Sequence, residues 1–248
     1  MSENAATAIV IGASSGLGRA LAVELARRNY SLLLVASDLR DLDALGASLN
    51  LAHGIAVRAL ALDLARELDP GARIVAALDG MPSATALLVP IGYSRDDDDL
   101  SLDAAGIGQV LAVNLHAPLA IVHALLPTLA AAHGTMVLFG SVAATRGRGR
   151  NVVYAAAKRA LVSLYESLRQ RYRARELRVH IYELGFMKTN LTHGMRLPLP
   201  SVDPDSVART VVRRLGRGSS RRYLPRWWAP IAFLVRSMPW TVYRKLKD

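Results

Sequence analysis

The sequence predicts a three-layer α/β/α protein built on a doubly wound parallel sheet. Three observations carry that prediction. Short, uniformly apolar runs recur along the chain, helix-period segments separate them, and a glycine-rich turn follows the first run directly. A strand that is apolar on both faces must be covered on both faces. Helices that cross over with the usual right hand supply the cover.

The elements follow in order. Thr7–Ile11 is a β-rich run, and residues 16–28 have helix periodicity with Leu17, Ala20, Leu21, Val23 and Leu25 apolar. Residues 32–36 form a second apolar run, followed by a helix over 39–51. A strand over 55–62, a helix over 65–78 and a strand over 84–89 come next. A long helical region covers 102–132, with Pro118 expected as a joint or kink. A strand over 135–139, a long helix over 152–173 and a strand over 178–182 complete the alternation. The boundaries expected are a dinucleotide-binding and catalytic domain over 1–224 and a basic aromatic tail over 225–248.

Composition limits the functions open to the chain. Its 248 residues are 52% hydrophobic, enough for a large core. It has no cysteine, which excludes disulfides and thiolate–metal sites and agrees with a reducing cytoplasm. The N-terminus lacks the basic and apolar regions of a signal peptide, and no wholly apolar stretch of spanning length is read, so a cytoplasmic protein without a spanning helix is expected. No metal site is expected. The histidines lack ligand spacing, and the Asp96–Asp99 run reads as a solvated acidic loop.

The net charge is +11. Nucleic acid is not expected as a partner, because no basic groove pattern interleaved with stacking aromatics occurs. The tail holds all three tryptophans, Trp227, Trp228 and Trp240, with Arg226, Arg236, Arg244, Lys245 and Lys247 among them. Pro230 and Pro239 should divide it into short helices. Tryptophan beside arginine suits an anionic membrane surface. Packing on the sheet edge or on a second subunit is the alternative.

The turn Gly12-Ala13-Ser14-Ser15-Gly16-Leu17-Gly18 lies between the first strand and the first helix. Glycine allows close approach of a ligand, and a helix start offers free N–H groups and a positive dipole end to a pyrophosphate. Further along, Tyr154 and Lys158 share one helix face, and Ser141 precedes the tyrosine by thirteen residues at the end of a strand. A neighbouring ammonium favours the phenolate, so Lys158 is expected to lower the pKa of Tyr154.

These motifs resemble, in order and over essentially the whole chain, those of the short-chain dehydrogenase/reductases. The resemblance implies a Rossmann-type fold and NAD(P)-dependent hydride transfer between nicotinamide and a carbonyl or alcohol. It implies a catalytic set of Ser141, Tyr154, Lys158 and Asn114. Ser141 and Tyr154 would act on the substrate oxygen, Lys158 would hold the nicotinamide ribose, and Asn114 would keep a water in a proton relay. It implies cofactor contacts from Gly12, Ser14, Ser15, Gly16, Leu17, Gly18, Ser37, Asp63, Leu64, Gly92 and Thr189, besides Tyr154 and Lys158, with Asp63 at the adenine. Two elements depart from the family pattern. Asn-Asn-Ala-Gly is here Val89-Pro90-Ile91-Gly92, and Pro-Gly is here Leu184-Gly185. The segment Ala36-Ser37-Asp38-Leu39-Arg40 leans to NADP, with NAD left open.

Residues 141–151, the tail and the terminal Tyr243-Arg-Lys-Leu are similar to the bacterial decaprenylphosphoryl-2-keto-pentose reductases and relatives. That resemblance implies a lipid-linked keto sugar as substrate and a peripheral position on the inner membrane face. Arg146, Arg148 and Arg150 would then meet the substrate phosphate, or else form a solvated loop. A small or steroid-like ketone, and a non-catalytic scaffold that retains the fold, are the alternatives. A homodimer or homotetramer through the two long helices is expected by analogy.

Overall fold

The computed structural model describes residues 6–187 and 200–246. Seven parallel strands form one sheet in the order β3-β2-β1-β4-β5-β6-β7. They are β1 (Thr7–Ile11), β2 (Ser31–Ala36), β3 (Val57–Ala61), β4 (Ala84–Val89), β5 (Thr135–Ser141), β6 (Arg178–Leu184) and β7 (Ser220–Leu224). The strand order reverses between β1 and β4, which leaves a crevice beyond their carboxyl ends.

Helices cover both faces. The apolar faces of α1 (Gly16–Ala26), α2 (Leu39–His53) and α7 (Pro204–Val212) close one core with Val10, Leu34, Phe139 and Tyr182. On the other face α3 (Pro70–Ala77), α5 (Ala117–Ala131) and α6 (Val152–Arg171) bury Ile9, Leu87, Leu138 and Ile181. Strands β1 and β2 are buried along their whole length, as their uniform apolarity requires. Two short helices, α8 (Trp228–Ser237) and α9 (Trp240–Tyr243), follow β7, and Pro239 separates them as the tail sequence suggests. Pro230 lies inside the first turn of α8 instead of dividing it.

Several boundaries differ from the sequence reading for identifiable reasons. The third helix begins at Pro70 and not at Ala65, because Asp69 caps it, accepting from the Ala72 amide, and proline suits the first helical turn. The joint expected at Pro118 falls earlier. A π-helical turn, Ala112–His116, links α4 (Ala104–Leu111) to α5, and Pro118 sits in the first turn of α5, where its missing N–H costs nothing. The run Ala104–Ala131 is, contrary to the sequence reading, long and apolar enough by composition to cross a membrane. In the fold it packs against α3, β4 and α6.

Candidate active site

One large cavity, about 1340 Å³, lies at the carboxyl ends of the strands around the crevice. The glycine turn forms its floor. Gly12 has φ +79°, and a Cβ on Gly18 would stand 1.9 Å from the Gly12 carbonyl oxygen. Helix α1 therefore abuts the end of β1 only because position 18 has no side chain. Ser15 precedes the helix with its side chain uncommitted to capping. Gly12, Ser14, Ser15, Gly16 and Leu17 line the cavity, and Gly18 acts behind them through packing.

Ser37, Asp63, Leu64 and Gly92 line the same cavity. The Asp63 carboxylate also accepts from the Ala65 amide at 3.0 Å. Asp38 is committed elsewhere: it caps α2, accepting from the Asp41 amide at 3.1 Å. Thr189 lies outside the described residues.

Ser141 ends β5, and Tyr154 and Lys158 rise from the first two turns of α6. All three line the cavity. Lys158 is only 3% exposed, and its Nζ donates to the carbonyl oxygens of Ile91 (2.6 Å) and Phe139 (3.2 Å). Burial pulls its pKa down from 10.5 to about 8. The ammonium lies 5.8 Å from the centre of the Tyr154 ring. Burial pushes the Tyr154 phenol up from its ordinary value, opposed by hydrogen bonding from Ser141 and by the charge of Arg148. The lowering of the phenol expected from Lys158 is thus not the net effect. The lysine is drawn to backbone carbonyls, and Arg148 is the cation that acts on the hydroxyl.

Asn114 is fully buried in the π-helical turn. Its amide nitrogen donates to the carbonyls of Tyr93 (2.7 Å) and Val110 (2.8 Å), and its oxygen accepts from the Tyr93 amide at 3.1 Å. It ties the loop after β4 to the helix, and both its N–H donors are engaged. That loop carries Ile91, whose carbonyl holds Lys158. The altered Val89–Gly92 element therefore still serves the lysine, through a backbone atom that any residue there would supply.

Asp98 has a structural part that the sequence did not reveal. It is 1% exposed, and its carboxylate oxygens accept from the amides of Val153 (2.8 Å) and Tyr154 (2.9 Å). Asn151, at the start of α6, makes no side-chain cap. Asp98 takes over that duty from a distant loop and fixes the backbone of the tyrosine. One residue of the acidic run is thus buried, not solvated.

The tail closes the cavity. A Cβ on Gly185 would overlap the indole of Trp228, 1.9 Å from its Nε1. Trp228 is flanked by Phe186 and stacked on Trp227. The arginine loop divides by role. Arg146 donates to the carbonyls of Val235 and Met238 and lies over the Tyr243 ring at 4.1 Å. The Tyr243 hydroxyl in turn donates to the Gly147 carbonyl at 2.8 Å. Arg146 therefore latches α8 and α9 to the loop while also lining the cavity, so it is not the solvated residue of the alternative reading. Arg148 lines the cavity, and its buried Nε has no partner among the described residues. Arg150 is exposed.

Comparison with known proteins agrees with this arrangement. The family described as short chain dehydrogenase matches residues 6–198. An uncharacterized oxidoreductase of Myxococcus xanthus is 32% identical over 196 residues, covering 78% of this chain and 77% of its own. An uncharacterized oxidoreductase of Mycobacterium tuberculosis is 29% identical, covering 98% of this chain and 97% of its own. The solved structure of a short-chain dehydrogenase from Sphingobium yanoikuyae, in complex with NADPH, superposes with a TM-score of 0.81 at 25% identity, covering 98% of this chain and 96% of that one. The fold, the ordered motifs and these matches together place the chain in the short chain dehydrogenase family of oxidoreductases.

Proposed function

We propose that this NAD(P)-dependent oxidoreductase reduces the carbonyl of a lipid-linked keto sugar, with NADP(H) preferred over NAD(H). The observation that carries the reading is the Arg148 guanidinium, whose buried Nε has no partner among the described residues, set beside Tyr154 in a cavity that the tail helices wall. A cation so placed suits a substrate with an anionic group close to its carbonyl.

The residues present fit a dinucleotide. The start of α1 opens into the cavity at glycines and an uncommitted serine. Lys158 has a third ammonium proton free after its two carbonyl bonds, suited to a ribose hydroxyl. Gly12 and residues 14–17 would hold the pyrophosphate, Asp63 and Leu64 the adenine side, and Gly92 the ribose side. Ser37 at the end of β2, with Asp38 withdrawn into capping, leaves room for the additional phosphate of NADP. When bound, the dinucleotide supplies the hydride.

The chain's own residues manage the proton. Ser141 orients the carbonyl oxygen and stabilises its developing charge. Tyr154 keeps its proton at neutral pH, because burial raises its pKa, so it serves as the acid of a reduction. Arg148 and Ser141 then favour the phenolate that proton donation leaves behind.

The tail supports a membrane-surface position. Phe233 is 74% exposed, Leu234 63% and Trp240 64%, and Arg226, Arg236, Arg244 and Lys245 are exposed among them. Apolar side chains amid cations fit an anionic lipid surface. Assembly as a homodimer or homotetramer through α5 and α6 belongs to the same reading and is checked by sedimentation.

The test uses purified protein with polyprenyl-linked keto sugars, soluble ketones and both cofactors. Turnover of the lipid-linked substrate with NADPH, abolished in Tyr154→Phe, is expected. Failure to bind either dinucleotide refutes the enzyme in favour of a scaffold. Turnover of soluble or steroid-like ketones alone refutes the substrate. Sedimentation with anionic liposomes should be lost in Phe233→Glu/Leu234→Glu, and unchanged sedimentation refutes the surface position.

A further inference from the structure

The ten residues from Arg213 to Arg222 contain five arginines and no acid. They run from the turn after α7 into the first residues of β7. Arg221 is neutralised on one face of β7, by Glu183 at 2.6 Å and Glu166 at 3.3 Å. Arg222 faces the other way, and the strand register sets it beside Tyr182. The same register sets Ser220 beside His180, whose Nδ1 lies 2.9 Å from the serine hydroxyl. The His180 and Tyr182 rings are 6.2 Å apart. Arg214, in the turn, acts with Arg222 on both rings through its charge.

Four buried polar atoms of these residues have no hydrogen-bond partner among the described residues: His180 Nε2, Tyr182 Oη, Arg214 Nε and Arg222 Nε. His180 and Tyr182 are completely buried. Neither Arg214 nor Arg222 has an ion pair among the described residues. The charged groups acting on the two rings are Arg178, Arg214 and Arg222, with no carboxylate among them.

All four atoms can be donors. Both arginine atoms are N–H groups and the tyrosine is an O–H group. When Ser220 donates to His180 Nδ1, the histidine carries its proton on Nε2. The Arg217 backbone carbonyl acts on His180 and the Arg214 side chain on the Tyr182 hydroxyl, yet none of the four atoms closes a hydrogen bond among the described residues. Buried donors beside two cations with no carboxylate call for an acceptor-only anion. A tetrahedral oxyanion offers several lone pairs at once.

We propose that Arg214, Arg222, Tyr182 and His180 form a binding site for a phosphate-type oxyanion, separate from the catalytic cavity. None of the four lines that cavity. The ligand is free inorganic phosphate or a phosphate monoester on a lipid headgroup. The inference is independent of the substrate assigned above.

The test reads the His180 imidazole by nitrogen–proton correlation in the full-length protein. Excess NADPH first fills the dinucleotide site; a chain that binds no NADPH is titrated directly, which keeps the two proposals separable. Potassium phosphate is added at constant ionic strength, with chloride as control. A saturable shift of the His180 signals is expected. The His180 pKa, held down near 4 by burial and then by the arginines, should rise when an anion arrives. Tyr182→Phe should weaken binding about tenfold, and Arg214→Gln/Arg222→Gln should abolish it. If that double variant does not fold, Arg222→Lys is the substitute and should weaken binding. A shift with phosphate assigns the free ion. A shift only with phosphatidic acid vesicles, and none with phosphatidylcholine vesicles, assigns the headgroup. No shift with either, or an undiminished shift in the arginine variants, overturns the site.

Discussion

Replacing Asp98 with alanine should weaken the whole protein and displace Tyr154. The Asp98 carboxylate makes two bonds, to the Val153 amide at 2.8 Å and the Tyr154 amide at 2.9 Å. Hydrogen bonds to a charged group contribute about 1.5–3 kcal/mol each. Loss of both, with water replacing part of the interaction, gives a cost of about 3 kcal/mol. For a chain of this size that lowers Tm by roughly 6–12 °C. Asparagine keeps one acceptor oxygen and turns an N–H group toward the second amide, so Asp98→Asn should lose about half as much. Urea denaturation measures both costs. Turnover at saturating substrate should fall more than KM rises, because the tyrosine hydroxyl moves while the pocket walls stay. Stability within about 0.5 kcal/mol of the parent, together with unchanged turnover, would refute the capping argument.

Two further outcomes follow from the site. Lys158 has its pKa lowered to about 8 in the fold, against 10.5 in the unfolded chain, so the unfolded chain holds the proton more tightly between those values. Stability should therefore rise with pH from about 8 to about 10.5, by about 3 kcal/mol. Denaturant unfolding across that range, compared with Lys158→Met, measures the slope, and an equal slope in the variant would contradict it. Gly185→Ala should drive Trp228 from its seat, since the added Cβ would meet the indole. Hydrogen exchange of the α8 amides should then accelerate while that of β1 and β2 stays slow, and protected α8 amides would count against the packing argument.

Much of the fold was legible because burial on both faces leaves a plain mark. Runs such as Leu32–Ala36 have no polar residue to mislead. β7 left no such mark: Ser220-Arg-Arg-Tyr-Leu224 is an edge strand whose arginines are partly exposed. Helix α7 was missed as well, with only Val207, Ala208, Val211 and Val212 buried. The spacing of Ser141, Tyr154 and Lys158 was readable because a strand end and one helix face bring the three together. Asp98 was not readable. It is one of four identical neighbours, and only the tertiary fold decides which of them reaches the start of α6. The latch role of Arg146 was hidden for a similar reason, since its partners Val235 and Met238 lie about ninety residues away.

All three tryptophans of the chain lie in the segment that walls the cavity. Trp228 and Trp240 line it, and Trp227 is stacked on Trp228. Emission excited at the red edge of the indole band, beyond tyrosine absorption, therefore arises from the tail alone, with no indole background from the sheet. Occupancy of the cavity can be followed on the unlabelled native chain, by the colour and quenching of its own indoles.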